Sequence, residues 1–278
     1  MLEKDLNHNT EKKMVKSKNL DELICNFTIA KPEYHLKAVT KQKAGIWQGI
    51  NSYKDMNMLI MRDVNFSLEV LDSKEAMAQV IKPDLEWCEL HFQERVGGIP
   101  LNPGESYKIW PYANFKEGDE FLKDMEFDHT YMERFWPRGA NSNPHTPCIK
   151  GIRFEYGDYS DVCKQLIENP LTRQAYLPIF FPEDTGAVGS IRVPCTLGYL
   201  FEIFNNKLDI TYYIRSCDAY RHLRNDVYLA TKLLIHTKEI LFNNGMKDIK
   251  TGNLIMKIAN LHVFENDIYP LRKKEQNL

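Results

Sequence analysis

The chain reads as an α+β fold, and three stretches carry that reading. The first is a hairpin. Leu197, Tyr199, Phe201 and Ile203 alternate along one strand, and Leu208, Ile210, Tyr212 and Ile214 alternate along the return. Between them Asn205 and Asn206 supply a two-residue turn that tolerates positive φ. The second is a helical pattern over 226–243, with Val227, Ala230, Leu234 and Leu241 on one stripe that Leu233 and Ile240 widen. The third is a strand-like run, NLIMKIANLHVF, which follows the stop signal Asn243-Asn244-Gly245.

Bulk properties narrow the class of protein. A chain of 278 residues can bury a large core, and no interior linker divides it. We therefore expect a flexible arm over 1–22, rich in Lys, Asn and Glu, followed by one domain over 23–278. A net charge of −2 argues against direct nucleic-acid binding but leaves room for a local phosphate site. The six cysteines (25, 88, 148, 163, 195 and 217) form no CxxC pair, which points to reduced thiols, no metal site and a cytoplasmic location. There is no secretory leader and no apolar run of the roughly 18 to 20 residues that a membrane span needs.

Taken in order, Phe27 to Val70 is β-like, with runs such as NMLIM and VNFSLEV. Residues 74–94 form a helix capped by Ser73, with Ala76, Met77, Val80 and Ile81 on one face and a kink or restart at Pro83. Asp84 and Glu86 place acids in the renewed first turn, where the helix dipole favours them. Lys108-Ile109-Trp110 follows, and then a polar, aromatic stretch over 113–150 that reads as an irregular insertion. Asp161 to Glu168 is a short helix, Asn169-Pro170 ends it, and Arg173 sits in the loop beyond. No internal repeat is visible.

The hairpin register has a chemical consequence. It sets the start of the first strand beside the end of the second, so Cys195 and Arg215 share one end of the sheet. A thiol beside a guanidinium is a nucleophile beside an anion site. Asp226 and Asn225 open the next helix and are candidate N-caps, and a helix N-terminus favours an ionised Asp.

Pro194-Cys195, the aromatic strand pair, Arg215-Ser216-Cys217-Asp218 and the acid opening the next helix together resemble the thymidylate synthase family. TRQAYLPIFFPED around Arg173 and NLHVF around His262 add to the resemblance, which spans roughly residues 60 to 268. Cys195-Thr196 and Leu223-Arg224-Asn225-Asp226 are more similar to the phage-type deoxycytidylate (dCMP) hydroxymethylases than to the synthases, which carry Cys-His and Pro-Phe-Asn there. The resemblance implies a thymidylate-synthase-like large mixed β-sheet with flanking helices, dimerising through the sheet face.

It also implies a set of roles. Cys195 adds to C6 of a pyrimidine nucleoside monophosphate, and Cys217 is structural. Arg215, Ser216 and Arg173, the last lent across a homodimer, hold the phosphate; Arg62 is a weaker phosphate candidate. Asp84 or Glu86 relays protons, Trp110 stacks on the folate, and Asp218 faces the pterin of 5,10-methylenetetrahydrofolate, the one-carbon donor. His262 lies near the ribose 3′-hydroxyl. Asp226, with Asn225 beside it, reads the base, and a carboxylate there matches protonated cytosine. Departures from the family pattern fall at Asp84, Gln174 and Phe264, and at a tail of only 14 residues after Phe264. The expected reaction is dCMP to 5-hydroxymethyl-dCMP. A C5 methyltransferase acting on dCMP or dUMP, and an impaired homologue that only binds nucleotide, remain alternatives.

Overall fold

A computed structural model describes residues 35–36, 58–112, 127–140, 157–186, 192–268 and 270. The arm over 1–22, most of the β-like stretch before Met58, the insertion segments 113–126 and 141–150, and the chain after 270 lie outside the described residues.

One mixed sheet organises the domain. Its strands are β1 (His35–Leu36), β2 (Met58–Glu69), β3 (Tyr176–Pro178), β4 (Thr196–Phe204), β5 (Lys207–Ile214), β6 (Cys217–Asp218) and β7 (Lys250–Phe264). Their spatial order is β1-β2-β7-β5-β4-β3, with β6 paired to β7. The β5–β7 and β6–β7 pairings are parallel and the others antiparallel. A parallel pair needs a long crossover, and the 21-residue helix between β6 and β7 supplies it.

The β4–β5 hairpin closes through Asn205 and Asn206, both at positive φ (50° and 58°) as a twisted two-residue turn requires. The buried pairs Phe201–Ile210 and Tyr199–Tyr212 follow the expected alternation. Near Cys195 the alternation breaks. A bulge between Thr196 and Gly198 turns Leu197 out of phase and buries Thr196 beside Ile214. A polar hydroxyl thereby enters the core where alternation alone places a leucine.

β5 and β6 are one strand interrupted at Arg215-Ser216. Both run along β7, with Ile214 opposite Ile258 and Cys217 opposite Leu261. In β7 the buried face changes phase across the same gap, from Leu254, Met256 and Ile258 to Leu261 and Val263. Asn260 donates from Nδ2 to the Arg215 carbonyl at 3.1 Å, which satisfies backbone that the broken ladder leaves open. The break lifts Arg215 and Ser216 out of the ladder at the edge of the site.

Helices cover the core face. α1 (Lys74–Ile81) is capped by the Ser73 hydroxyl, which accepts from the Ala76 amide. It buries Met77 and Ile81 but leaves Val80 exposed. Lys82 takes a left-handed conformation and the chain restarts after Pro83 as α2 (Leu85–Val96), so of the expected kink or restart it is the restart that occurs. α3 (Tyr131–Phe135) and α4 (Pro137–Ala140) follow within 127–140, then α5 (Tyr159–Glu168) and α6 (Pro182–Gly186).

α7 (Leu223–Asn243) begins three residues before the predicted start, so Asp226 lies in its first turn and is not its N-cap; His222 holds that position. The expected apolar stripe is present, but Arg224, Asn225, Thr231, Lys232 and Thr237 are buried as well. The helix is therefore central, and each of these side chains makes at least one polar contact. Thr231 and Thr237 donate to the carbonyls of Val227 and Leu233, Arg224 donates to the Ile81 carbonyl, and Lys232 pairs with Glu89.

Candidate active site

The chemistry-bearing groups gather where β4 begins, β5 breaks and α7 starts. The Arg215 amide donates to the Cys195 carbonyl at 2.9 Å, so the hairpin brings the two residues together as its register requires. The Arg215 guanidinium then turns back on the nucleophile's own loop. Nε donates to the Pro194 carbonyl at 2.8 Å, and one terminal nitrogen donates to the Val193 carbonyl at 3.1 Å. This clamp fixes the Cys195 loop and leaves one terminal nitrogen wholly free, with the second N–H of the other, for an anion.

Burial pushes the Cys195 thiol above its ordinary range, while Arg215 and then Arg192 pull the other way. The expected activation by Arg215 is present in sign, and in the free protein burial outweighs it. Arg192, which the motifs did not single out, is itself displaced to about 10 by burial.

The dipole argument expects an ionised Asp226; its value is raised to about 6, chiefly by desolvation, against the pull of Arg95 and of the Cys217 thiol, so the carboxylate prevails at neutral pH but takes up a proton more readily than a free aspartate. That thiol lies 3.6 Å from Asp226 Oδ2. In the first turn the helix leaves Asp226 among buried neighbours, where loss of water outweighs the dipole.

Asn225 does not share this setting. Its Oδ1 accepts from the Asp84 amide at 2.9 Å and from the Cys88 thiol at 3.4 Å. Its Nδ2 donates to Asp84 Oδ2 at 2.9 Å and to the Arg221 carbonyl at 3.3 Å. These bonds engage both ends of the amide, so Asn225 fastens α7 to α2 and is not placed to bind substrate. The same bonds hold Asp84 at the head of α2, whereas Glu86, two residues on in the first turn, is exposed.

Ser216 shares a hydrogen bond with His262 Nδ1 at 3.3 Å, and the Phe264 ring meets His262 edge-on at 5.4 Å. Asp218, opposite His262 in the β6–β7 ladder, accepts from the amides of Tyr220 and Arg221 through Oδ1. Arg173 is exposed in the loop before β3, and Arg62 is exposed on β2 opposite Asn260 in the β2–β7 ladder; among the described residues neither makes a hydrogen bond or ion pair with these groups.

Trp110 is 5% exposed and belongs to an aromatic wall. Its ring stacks on His222 (5.1 Å, 20°), tilts against Trp87 (4.4 Å, 58°) and meets Tyr112, which meets Tyr220. The face expected to receive folate is thus covered by His222, an imidazole kept neutral by burial, with its pKa lowered to about 4. The wall suits a pterin in chemistry: it is flat and aromatic, and the Trp110 indole N–H is buried with no partner among the described residues. Asp218 Oδ2, free of hydrogen bonds among the described residues, adds an acceptor beside it.

A hydroxyl chain completes the site, and the sequence reading missed it. Tyr131 of α3 shares a 3.0 Å hydrogen bond with Thr196 Oγ1, which shares one of 2.8 Å with Tyr212. Tyr212 stacks on Tyr199 at 4.4 Å. Only the β4 bulge turns Thr196 inward to join them, and alternation gives no sign of that.

A thiol beside an arginine, an acid at a helix start and a flanking aromatic wall define a site for covalent attack on a flat, anionic heterocycle. Residues 2–277 match the thymidylate synthase family, and the chain belongs to that family. Its members transfer one-carbon units to C5 of pyrimidine nucleotides, use methylenetetrahydrofolate as donor and are typically dimeric. The fold is similar to that of thymidylate synthase from T4 phage, with a TM-score of 0.59 at 14% identity over 92% of this chain and 80% of that one. No curated protein matches the chain. No helix among the described residues is long and apolar enough to cross a membrane.

Proposed function

We propose that this protein hydroxymethylates C5 of a pyrimidine nucleoside monophosphate, with dCMP as the substrate. The observation that carries the reading is Asp226: a half-buried carboxyl at about 6, at the start of α7, in the field of the Cys195 thiol. Cytosine presents an N3 acceptor and an N4 donor. A carboxyl that shares one proton with N3 and accepts from N4 satisfies both, while an ionised carboxylate repels the O4 of uracil.

Cys195 supplies the nucleophile. Its thiolate forms a bond to C6, and the ring's π electrons shift so that C5 becomes nucleophilic. The thiol proton must leave as the bond forms. Arg215 and Arg192 favour that loss, and the phosphate brought by the substrate meets the free nitrogen of Arg215. Arg173 from a second copy, Ser216 and His262 complete the phosphate and ribose contacts in this reading. Methylenetetrahydrofolate, when bound against Trp110 and Asp218, supplies the one-carbon unit. Asp84, held by Asn225, exchanges protons with the ring, and the Tyr131–Thr196–Tyr212 chain offers hydroxyls to carry the C5 proton and to hold the water that hydroxymethylation consumes.

A second reading, a nucleotide-binding homologue with impaired chemistry, is favoured by the raised Cys195 thiol and by the His222 ring over Trp110. Incubation with C5-tritiated dCMP and methylenetetrahydrofolate separates the two. Tritium release with hydroxymethyl-dCMP, abolished by Cys195→Ser, supports the enzyme. Methyl-dCMP selects the sister reaction. Bound nucleotide without release from dCMP, dUMP or CMP selects the impaired homologue.

A further inference from the structure

Arg95 lies in the last turn of α2, 4% exposed, and none of its guanidinium nitrogens meets a carboxylate among the described residues. Nε is buried without a hydrogen-bond partner. What holds the group is an aromatic face: its Cζ lies 4.1 Å from the centroid of the Tyr131 ring. Its charge acts at longer range on the Asp226 carboxyl, but no direct ion pair forms among the described residues, and burying a cation costs several kcal/mol that packing alone does not repay. A cation over a phenol ring favours the negative form of that ring and weakens its O–H bond. Tyr131 is the outer end of the hydroxyl chain to Thr196, the residue that follows Cys195.

We propose that Arg95 is a positioning residue that acts through Tyr131: its guanidinium orients the phenol ring and makes the hydroxyl a better proton donor at the reacting pyrimidine. The idea rests on the reading of Tyr131 as part of the proton path, and it adds the group that tunes that path. The influences on Tyr131 oppose one another, and Arg95 acts on the lowering side. Burial raises its pKa, Asp226 of α7 and Cys195 at the mouth of β4 raise it further, and Arg95 of α2 with the Thr196 hydrogen bond of β4 lowers it. Tyr212 of β5 lies in the same cluster with no cation stacked on its ring among the described residues; burial holds it well above the ordinary tyrosine range, and Arg95 reaches it only as a weaker influence than Asp226, Tyr199 and Tyr131. Arg95 is the cation stacked on the Tyr131 ring, and Arg192, before β4, is a second cation coupled to the same phenol.

The test uses the full chain labelled with ¹³Cζ-tyrosine, with Tyr131 assigned through Tyr131→Phe, and follows C5 tritium exchange from dCMP against pH. In Arg95→Met the Tyr131 resonance titrates at least about one unit higher and the exchange kcat at pH 7 falls about tenfold, with KM for dCMP nearly unchanged. Arg95→Lys, which keeps the charge, recovers most of the rate. A folded Arg95→Met with an unmoved Tyr131 titration and an unmoved pH profile overturns the proposal. If Arg95→Met does not fold, the wild type decides: Tyr131 titrating no lower than Tyr212 also overturns it. Full exchange activity in Tyr131→Phe would instead refute the proton path itself, a result separate from either outcome for Arg95.

Discussion

Asn225 and Asp84 face each other across the junction of α7 and α2, joined by two hydrogen bonds of 2.9 Å in opposite senses. The Asn225 amide donates to the Asp84 carboxylate, and the Asp84 backbone amide donates back to Asn225 Oδ1. The pair ties the acid at the head of α2 to the helix that carries Asp226. It thereby separates two acids that lie close in sequence: Asp84 is anchored, and Glu86 faces solvent.

Asp84→Asn is therefore expected to lower C5 hydrogen exchange by about 100-fold or more, the scale of a lost general acid–base group. Glu86→Gln should stay within about twofold of wild type on the same scale. Tritium release from C5-tritiated dCMP measures both, and equal losses in the two variants would refute the assignment.

If Asp226 reads the base as proposed, nucleotide binding is proton-linked. Above pH 6 the free protein holds mainly the carboxylate, while the complex with neutral cytosine holds one shared proton, so dCMP binding takes up a proton. Calorimetry at pH 7.5 in two buffers of different ionisation enthalpy should show uptake approaching one proton. Asp226→Asn should remove the uptake and shift preference toward dUMP. Unchanged preference would rule out Asp226 as the reader of the base.

The same carboxyl affects stability in the free protein. Its folded value, about 6, lies above the ordinary 3.8, so the native state holds the proton more tightly than the unfolded chain. Its contribution is most favourable below about pH 4 and is lost as pH rises through 6. Asp226→Asn should therefore raise Tm at pH 7.5, with the gain shrinking toward pH 4. Thermal melts across that window check the sign, and a gain independent of pH would contradict it.

Cys195 should alkylate slowly in the free protein at pH 7, because desolvation keeps the thiol protonated. Iodoacetamide labelling, read by mass spectrometry against Cys195→Ser, should accelerate only above about pH 9. Fast labelling at pH 7 would show that Arg215 and Arg192 outweigh burial after all.

Away from the site, Arg134 and Asp184 form a fully buried pair, with both side chains at 0% exposure and two hydrogen bonds of 2.9 and 3.0 Å. Asp184→Ala leaves Arg134 without that partner and should cost about 3–5 kcal/mol in urea denaturation. A loss below about 1 kcal/mol would mean that the surroundings already compensate the arginine.

Much of this molecule was legible in its sequence because local periodicity determines it. The β4–β5 alternation, the Asn205-Asn206 turn, the Ser73 cap, the α7 stripe and its Asn244-Gly245 stop all follow from which side chains tolerate which backbone angles. Hairpin register alone brought Cys195 to Arg215. The resemblance carried the family, and the fold agrees with it.

What the tertiary structure decided is where charge meets burial. Periodicity cannot say that Leu197 bulges and turns Thr196 inward, that the Asn225 amide is engaged by Asp84, or that His222 covers Trp110. Nor can it weigh desolvation of Cys195 and Asp226 against the arginines and the helix dipole that oppose it. Those outcomes depend on which distant segments exclude water from a group, and water exclusion is a property of the packed fold rather than of any one stretch of chain.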